Sequence, residues 1–269
     1  MKITAKDVQD AMTYGSSIID ENITVAGVDV EIWRDEHAEN PYHWGDGMAP
    51  ALWFSYKIES YGPGDLEDPI GRMSPAFVSR HYRKIEDILD NVDSEEPARI
   101  KADYGGAMGG IRQEYYRECL ADLRSESWGS VCDYFDTLAA LWRLQGIPAD
   151  TFQSNGYCQG DSARGLIVHL PEWVESVGAR HDSPGAIAKD MQSEADTYGA
   201  WLWGNVYGFT VGDILEDDDA DSCGGFYGTD SEYFASEIAD AVNTILAERA
   251  EIDAAAIEAA RPDLAPCYA

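Results

Sequence analysis

Residues 151–170, TFQSNGYCQGDSARGLIVHL, decide the fold class of this chain. Thr151 to Cys158 and Gly165 to Leu170 read as strands, and Gly160-Asp161 between them reads as a turn, so the segment is a β-hairpin. A second hairpin is expected from Asn205–Val211 and Ser222–Tyr227, across the acidic run EDDDAD at 216–221. Helical patterns stand between and after these hairpins without regular strand–helix alternation, which argues against a doubly wound parallel sheet. The expected class is α+β: antiparallel β-hairpins packed with several amphipathic helices.

Working outward, Ser74-Pro75 supplies an N-cap and a first-turn proline to a helix carrying Val78, Tyr82, Ile85 and Leu89 at helical spacing. Ile111, Tyr115, Cys119 and Leu123 mark another helix. Val131, Phe135, Leu138 and Trp142 mark a third, opened by Ser130 and closed by Gly146. Ser183-Pro184 starts a helix with Ile187, Met191, Tyr198 and Leu202. Thr229-Asp-Ser-Glu232 is a capping box for a long alanine-rich C-terminal helix. Nearer the N-terminus, Ile23–Asp35 and Leu52–Glu59 read as the two arms of a hairpin with a long connection, and residues 91–110 as a break ending in glycines. These elements suggest an N-terminal hairpin-plus-helix region over 1–110 and a helix/hairpin region over 111–269, and the composition is equally compatible with one single domain.

The charge is the strongest statement in the composition. Fifty Asp and Glu stand against 19 Lys and Arg, a net −31 over 269 residues, which repels nucleic acid and anionic membranes at long range. Direct nucleic-acid binding and membrane association are therefore not expected. No long apolar run and no apolar leader core is present, so the chain reads as cytoplasmic. Five scattered cysteines form neither a disulfide framework nor a zinc ribbon.

Among polar constellations, Cys158, Gln159, Asp161 and Arg164 form the alternative pocket: a thiol, an oxyanion donor and an orienting carboxylate are the parts of a nucleophilic site. No histidine stands at a cysteine-hydrolase spacing to activate Cys158, so the commoner role is a turn whose polar side chains cap local backbone. The run Asp217-Asp218-Asp219 lacks the glycine and glutamate of a calcium-binding loop. Glycines 105–110 lack the preceding strand and the Lys-Ser/Thr ending of a phosphate loop. Asp35 to Asp46 contains His37 and His43 among carboxylates, a mixture that can hold metal but more commonly makes a polar loop packed by Tyr42 and Trp44. No catalytic residue, metal or cofactor is assigned on these grounds.

At these residues the chain resembles uncharacterised proteins of bacteriophages and mobile elements. The shared patterns are D-x4-N-P-x2-W at Asp35, Asn40, Pro41 and Trp44, and Q-G-D at Gln159, Gly160 and Asp161. A further block, W-G-x-V-Y-G-[FY] with D-S-C-x-G-F-Y-G, covers Trp203 to Phe209 and Asp221 to Gly228, with Gly224 where tryptophan is more usual. The resemblance implies a phage-like origin and transfers no catalytic residue.

The charge favours a non-enzymatic inhibitor of phage type, a nucleic-acid mimic that blocks a basic, nucleic-acid-binding host protein. Asp217, Asp218, Asp219, Glu232, Glu237 and Asp240 are its candidate acidic face, because residues 211–269 hold 15 acidic residues against Arg249 and Arg261. The alternative is a small-molecule or nucleotide-sequestering module, or a hydrolase, centred on Gln159-Gly160-Asp161. A third reading is adaptation to concentrated salt, in which case the charge identifies no partner.

Overall fold

The computed structural model describes residues 2–12, 21–41, 47–55, 58–61, 64–124, 128–156, 162–178, 183–212, 221–228 and 232–259. It has an α+β fold built on two four-stranded antiparallel sheets. Two compact units divide the chain: residues 1–39 with 200–269, and residues 40–199.

The first unit opens with α1 (Ala5–Ala11), where Thr4 N–H and Oγ1–H both donate to Asp7 Oδ2, at 2.8 and 2.7 Å. It continues with β1 (Glu21–Val25) and β2 (Val28–Arg34). Ala26 and Gly27 both have positive φ, 52° and 79°, the backbone of a two-residue hairpin turn whose twist suits the flanking strands. Ile23–Asp35 is therefore a complete hairpin and not one arm of a longer one.

The second unit supplies β3 (Ala51–Ser55), β4 (Ile58–Tyr61), α2 (Pro75–Leu89), α3 (Glu96–Tyr104), α4 (Met108–Leu123) and α5 (Trp128–Leu144). Then come β5 (Ala149–Asn155), β6 (Ser162–Val168), α6 (Pro171–Val177) and α7 (Pro184–Leu202), whose residues from Ala200 onward count with the first unit. The chain returns to the first unit with β7 (Val206–Val211), β8 (Asp221–Tyr227) and α8 (Glu232–Ala259).

In the first unit the strand order is β1-β2-β7-β8, with β2 joined to β7 through Ile32↔Phe209 and Trp33↔Gly208. The alternate residues Val28, Val30 and Ile32 are buried with Phe209 and Phe226 against Phe234, Ile238 and Val242 of α8. α1 is clasped to α8 at its start: Ile3 N–H donates to Asn243 Oδ1, and Asn243 Nδ2 donates back to the Ile3 carbonyl, both at 2.9 Å. Arg249 Nη1 donates to the Gly27 carbonyl at 3.3 Å, fastening the β1–β2 turn.

In the second unit the order is β4-β3-β6-β5. Leu52, Leu166 and Val168 face a core completed by Val78, Tyr116, Leu138 and Trp142. The opposite side carries Trp53, whose ring lies 5.9 Å from that of Tyr198 in α7. Trp53 is paired with Gly165 across the strands, and a Cβ on Gly165 would stand 2.7 Å from its ring.

Ser74 caps α2 as expected, its Oγ accepting from Phe77 N–H at 3.2 Å. Residues 91–110 differ from the expected break. They contain α3, and Gly109 and Gly110 lie in the first turn of α4. Gly109 is where α4 crosses α2, for a Cβ there would overlap the Pro75 carbonyl oxygen and stand 2.6 Å from Ser79 Oγ. The glycine serves close helix packing, which the local pattern does not reveal. The region boundary expected at 110/111 likewise falls inside α4. Leu52–Glu59 also turns back on itself, giving β3 and β4, so it pairs within its own sheet and not with Ile23–Asp35.

Candidate functional site

Arg164 lies on β6 one strand-pair from Gln153 and beside Phe54, on the face that carries Leu166. Its Nη2 donates to Asp136 of α5 at 2.6 Å and to Thr151 Oγ1 at 2.7 Å. The guanidinium is thus neutralised within the fold, while its buried Nε has no hydrogen-bond partner among the described residues. Towards the hairpin tip, Gln153 Nε2 donates to Asn155 Oδ1 and Ser162 Oγ, both at 3.2 Å, so the approach to the turn is a polar shelf. Cys158, Gln159 and Asp161 themselves lie outside the described residues.

Of the expected acidic face, Asp217, Asp218 and Asp219 also lie outside the described residues, as does the start of the capping box at Thr229. Glu232, Glu237 and Asp240 stand on the first turns of α8. Phe234, Ile238, Val242 and Ile245 are buried beneath, so one side of the helix is committed to the core. At about 100° per residue, Glu237, Asp240, Glu248 and Glu251 fall within about 80° of arc centred about 120° from that core line, on one flank of the helix, with Glu237 half-buried. Glu232 stands apart from this row.

The structure adds a partition that the linear charge count conceals. The first unit contains 24 acidic and 5 basic residues in 109, a net −19, and the second contains 26 and 14 in 160, a net −12. In the second unit arginines are absorbed by carboxylates: Arg72–Glu172 and Arg124–Glu67 at 2.6 Å, Arg117–Asp68 at 2.7 Å, and Arg164–Asp136. Arg72 beside Glu172 holds that carboxyl below its ordinary range. The first unit has far fewer cations to offer, and Lys6–Asp10 is a fully exposed pair.

The Asp35 segment is a fastened loop. Asp35 Oδ1 accepts from His37 N–H at 3.1 Å, Trp201 Nε1 donates to the Ala38 carbonyl at 3.3 Å, and the Tyr227 hydroxyl donates to the Glu39 carbonyl at 2.6 Å. Burial, with the Asp35 and Glu39 carboxylates adding to it, pushes the Tyr227 phenol up to about 12. Among the described residues no group of three or more His, Cys, Asp and Glu is placed to hold a metal. Tyr42, His43, Trp44 and Asp46 lie outside the described residues.

Two constellations escape the linear reading. His169, fully buried, has Nε2 3.0 Å from Glu194 Oε2 and its ring 4.6 Å from that of Trp173. It ties the end of β6 to α7. The second is Trp33, half-buried on the outer side of its sheet, which lies across Gly208 and Gly224 and donates Nε1–H to Thr210 at 3.1 Å. A Cβ on Gly224 would stand 2.9 Å from the Trp33 ring, so the glycine in that block keeps space for this indole. Neither has a local signal beyond the residue types themselves.

No protein-family model, curated protein or solved structure matches the chain. Among the described residues no helix is long and apolar enough to cross a membrane.

Proposed function

We propose that the protein is a non-enzymatic acidic inhibitor of phage type, which occupies the phosphate-binding groove of a basic, nucleic-acid-binding host protein in the host cytoplasm. The observation that carries this reading is the concentration of charge: the first unit holds −19 in 109 residues, including the one-sided row on α8. A field of this kind accelerates encounter with a basic partner and weakens steeply with salt.

The test is a phage-plating assay on a host that carries a restriction or other nucleic-acid-directed defence. Producing the protein should raise plating efficiency. A variant neutralised at Glu237, Asp240, Glu248 and Glu251, or at Asp217, Asp218 and Asp219, should lose that effect while folding normally. Full protection by both folded variants would remove the charge from the explanation.

The alternative, a ligand pocket or hydrolase at Cys158, Gln159, Asp161 and Arg164, receives less support because Arg164 already has Asp136 and Thr151 as partners. It predicts that Gln159→Ala and Asp161→Ala abolish protection and that the acidic substitutions do not.

A further inference from the structure

Helix α8 outruns the sheet it covers. Ile245 is its last buried residue among those described, and Arg249 reaches back to the Gly27 carbonyl. Residues 250–257 are all exposed, yet they include Ile252 at 68% and Ile257 at 66% relative exposure. A single exposed isoleucine is ordinary on a protein surface. Two on a wholly exposed extension of a helix are less so, because isoleucine is a poorer helix former than alanine.

The angular arrangement says what kind of surface would cover them. At about 100° per residue, Ile252 continues the line of Ile245, with Ala256 beside it. Ile257 lies about 140° away, on the side of Ala250 and Ala254. Glu248 and Glu251 fill one interval between these lines, and Asp253 stands in the other beside Arg249. One flat surface covers a single line, whereas a groove covers both. The charges select its rim: the cation of Arg249 is already turned to Gly27, which leaves three carboxylates facing whatever surrounds the helix. A second copy of this chain would bring the same carboxylates to its own and is disfavoured.

We propose that residues 250–257 of α8 form an insertion helix for a partner protein that offers an apolar groove rimmed by Lys and Arg, in the helix-in-groove mode of recognition. The inference stands whether or not the acidic surface imitates nucleic acid, because it rests on the exposed isoleucines and the charges between them.

The probe is a synthetic two-helix hairpin peptide with Leu and Ala lining its groove and Lys along both edges, titrated calorimetrically into the full chain. The wild-type protein should bind it at one site, and amide exchange over 250–257 should slow at least tenfold on binding. Ile252→Gln with Ile257→Gln should weaken binding at least tenfold and leave the melting temperature unchanged, since neither side chain belongs to the core. Tyr233→Gln, which alters a residue 63% exposed at the other end of α8, should bind as the wild type does. No binding, or equal binding by the double variant, overturns the proposal. Sedimentation equilibrium showing a self-association that Ile252→Gln abolishes would overturn it in favour of a second copy.

Discussion

Adjacent glycines in α4 offer a sharp test of how the second unit is packed. Gly109→Ala places a methyl group over the Pro75 carbonyl and 2.6 Å from Ser79 Oγ, whereas Gly110→Ala places one in open space with nothing within 4 Å. Relieving the first overlap requires α2 and α4 to separate by about an ångström, and forced overpacking of this kind costs about 1–3 kcal/mol. Replacing a helical glycine by alanine returns about 0.5–1 kcal/mol by propensity. Gly109→Ala should therefore destabilise by about 1–2 kcal/mol, and Gly110→Ala should stabilise by up to about 1 kcal/mol. For a unit of 160 residues these become a fall of about 2–8 °C and a rise of about 1–4 °C in melting temperature. Calorimetric melting of both variants decides the matter. A Gly109→Ala protein as stable as Gly110→Ala would refute the close crossing and return Gly109 to the role of a loop residue.

In the first unit, Gly208→Ala puts a methyl into the Trp33 ring and should cost about 1–3 kcal/mol. Adding Trp33→Ala should recover part of that loss, and strictly additive effects in the double variant would show that the two residues do not touch. Tyr116, Tyr134 and Tyr227 all have phenols raised by burial, Tyr116 also by its 2.6 Å bond to Glu86. Because a raised folded pKa favours the protonated native form, each contribution is complete below the ordinary tyrosine value of 10.0; that of Tyr227 is lost as pH climbs through about 12, and those of Tyr116 and Tyr134 persist to higher pH. Absorbance at 295 nm should leave these three un-ionised at pH 11, and all 15 tyrosines ionising together in the native protein would contradict it. Finally, raising NaCl from low to physiological ionic strength should raise the melting temperature by screening like charges; a flat or falling dependence would show that carboxylate repulsion does not limit stability.

What the linear sequence discloses is what local chemistry controls. Ser74-Pro75, the β5–β6 and β7–β8 hairpins and the amphipathic α5 are legible because a cap, a turn or a period lies within a few residues. The β1–β2 turn is missed because alanine at position 26 adopts a positive φ that usually marks Gly or Asn. α3 is missed because it lies in a polar, weakly periodic stretch. The pairing of β2 with β7 joins residues 173 to 181 positions apart, and no local pattern announces it. It is nevertheless what assembles the first unit from both ends of the chain, so the candidate acidic face could be located by residue counting only along its C-terminal half. The roles of Gly109, Gly208 and Gly224 are equally non-local, since each is set by a group from a distant segment.

The partition of charge also limits how imitation of nucleic acid can work here. Glu237 to Glu251 spans about 21 Å of helix axis, and four carboxylates over that length give about one charge every 7 Å. Duplex DNA presents one every 1.7 Å or so, and each strand one every 3.4 Å or so. The α8 row alone is therefore too sparse to copy a phosphate backbone. On the proposed reading the summed field of the first unit does the work, with Asp29 and Glu31 of β2 and Asp35 in the loop after it adding to it. Any one exposed carboxylate in such a field contributes about 0.2–1 kcal/mol at most, so single substitutions should change association little and grouped neutralisation should change it greatly. Adaptation to concentrated salt predicts an even coat over both units. The first unit instead carries more than twice the net charge per residue of the second, where arginines are drawn into ion pairs. It is this difference between the units, more than the total of −31, that a basic partner could read.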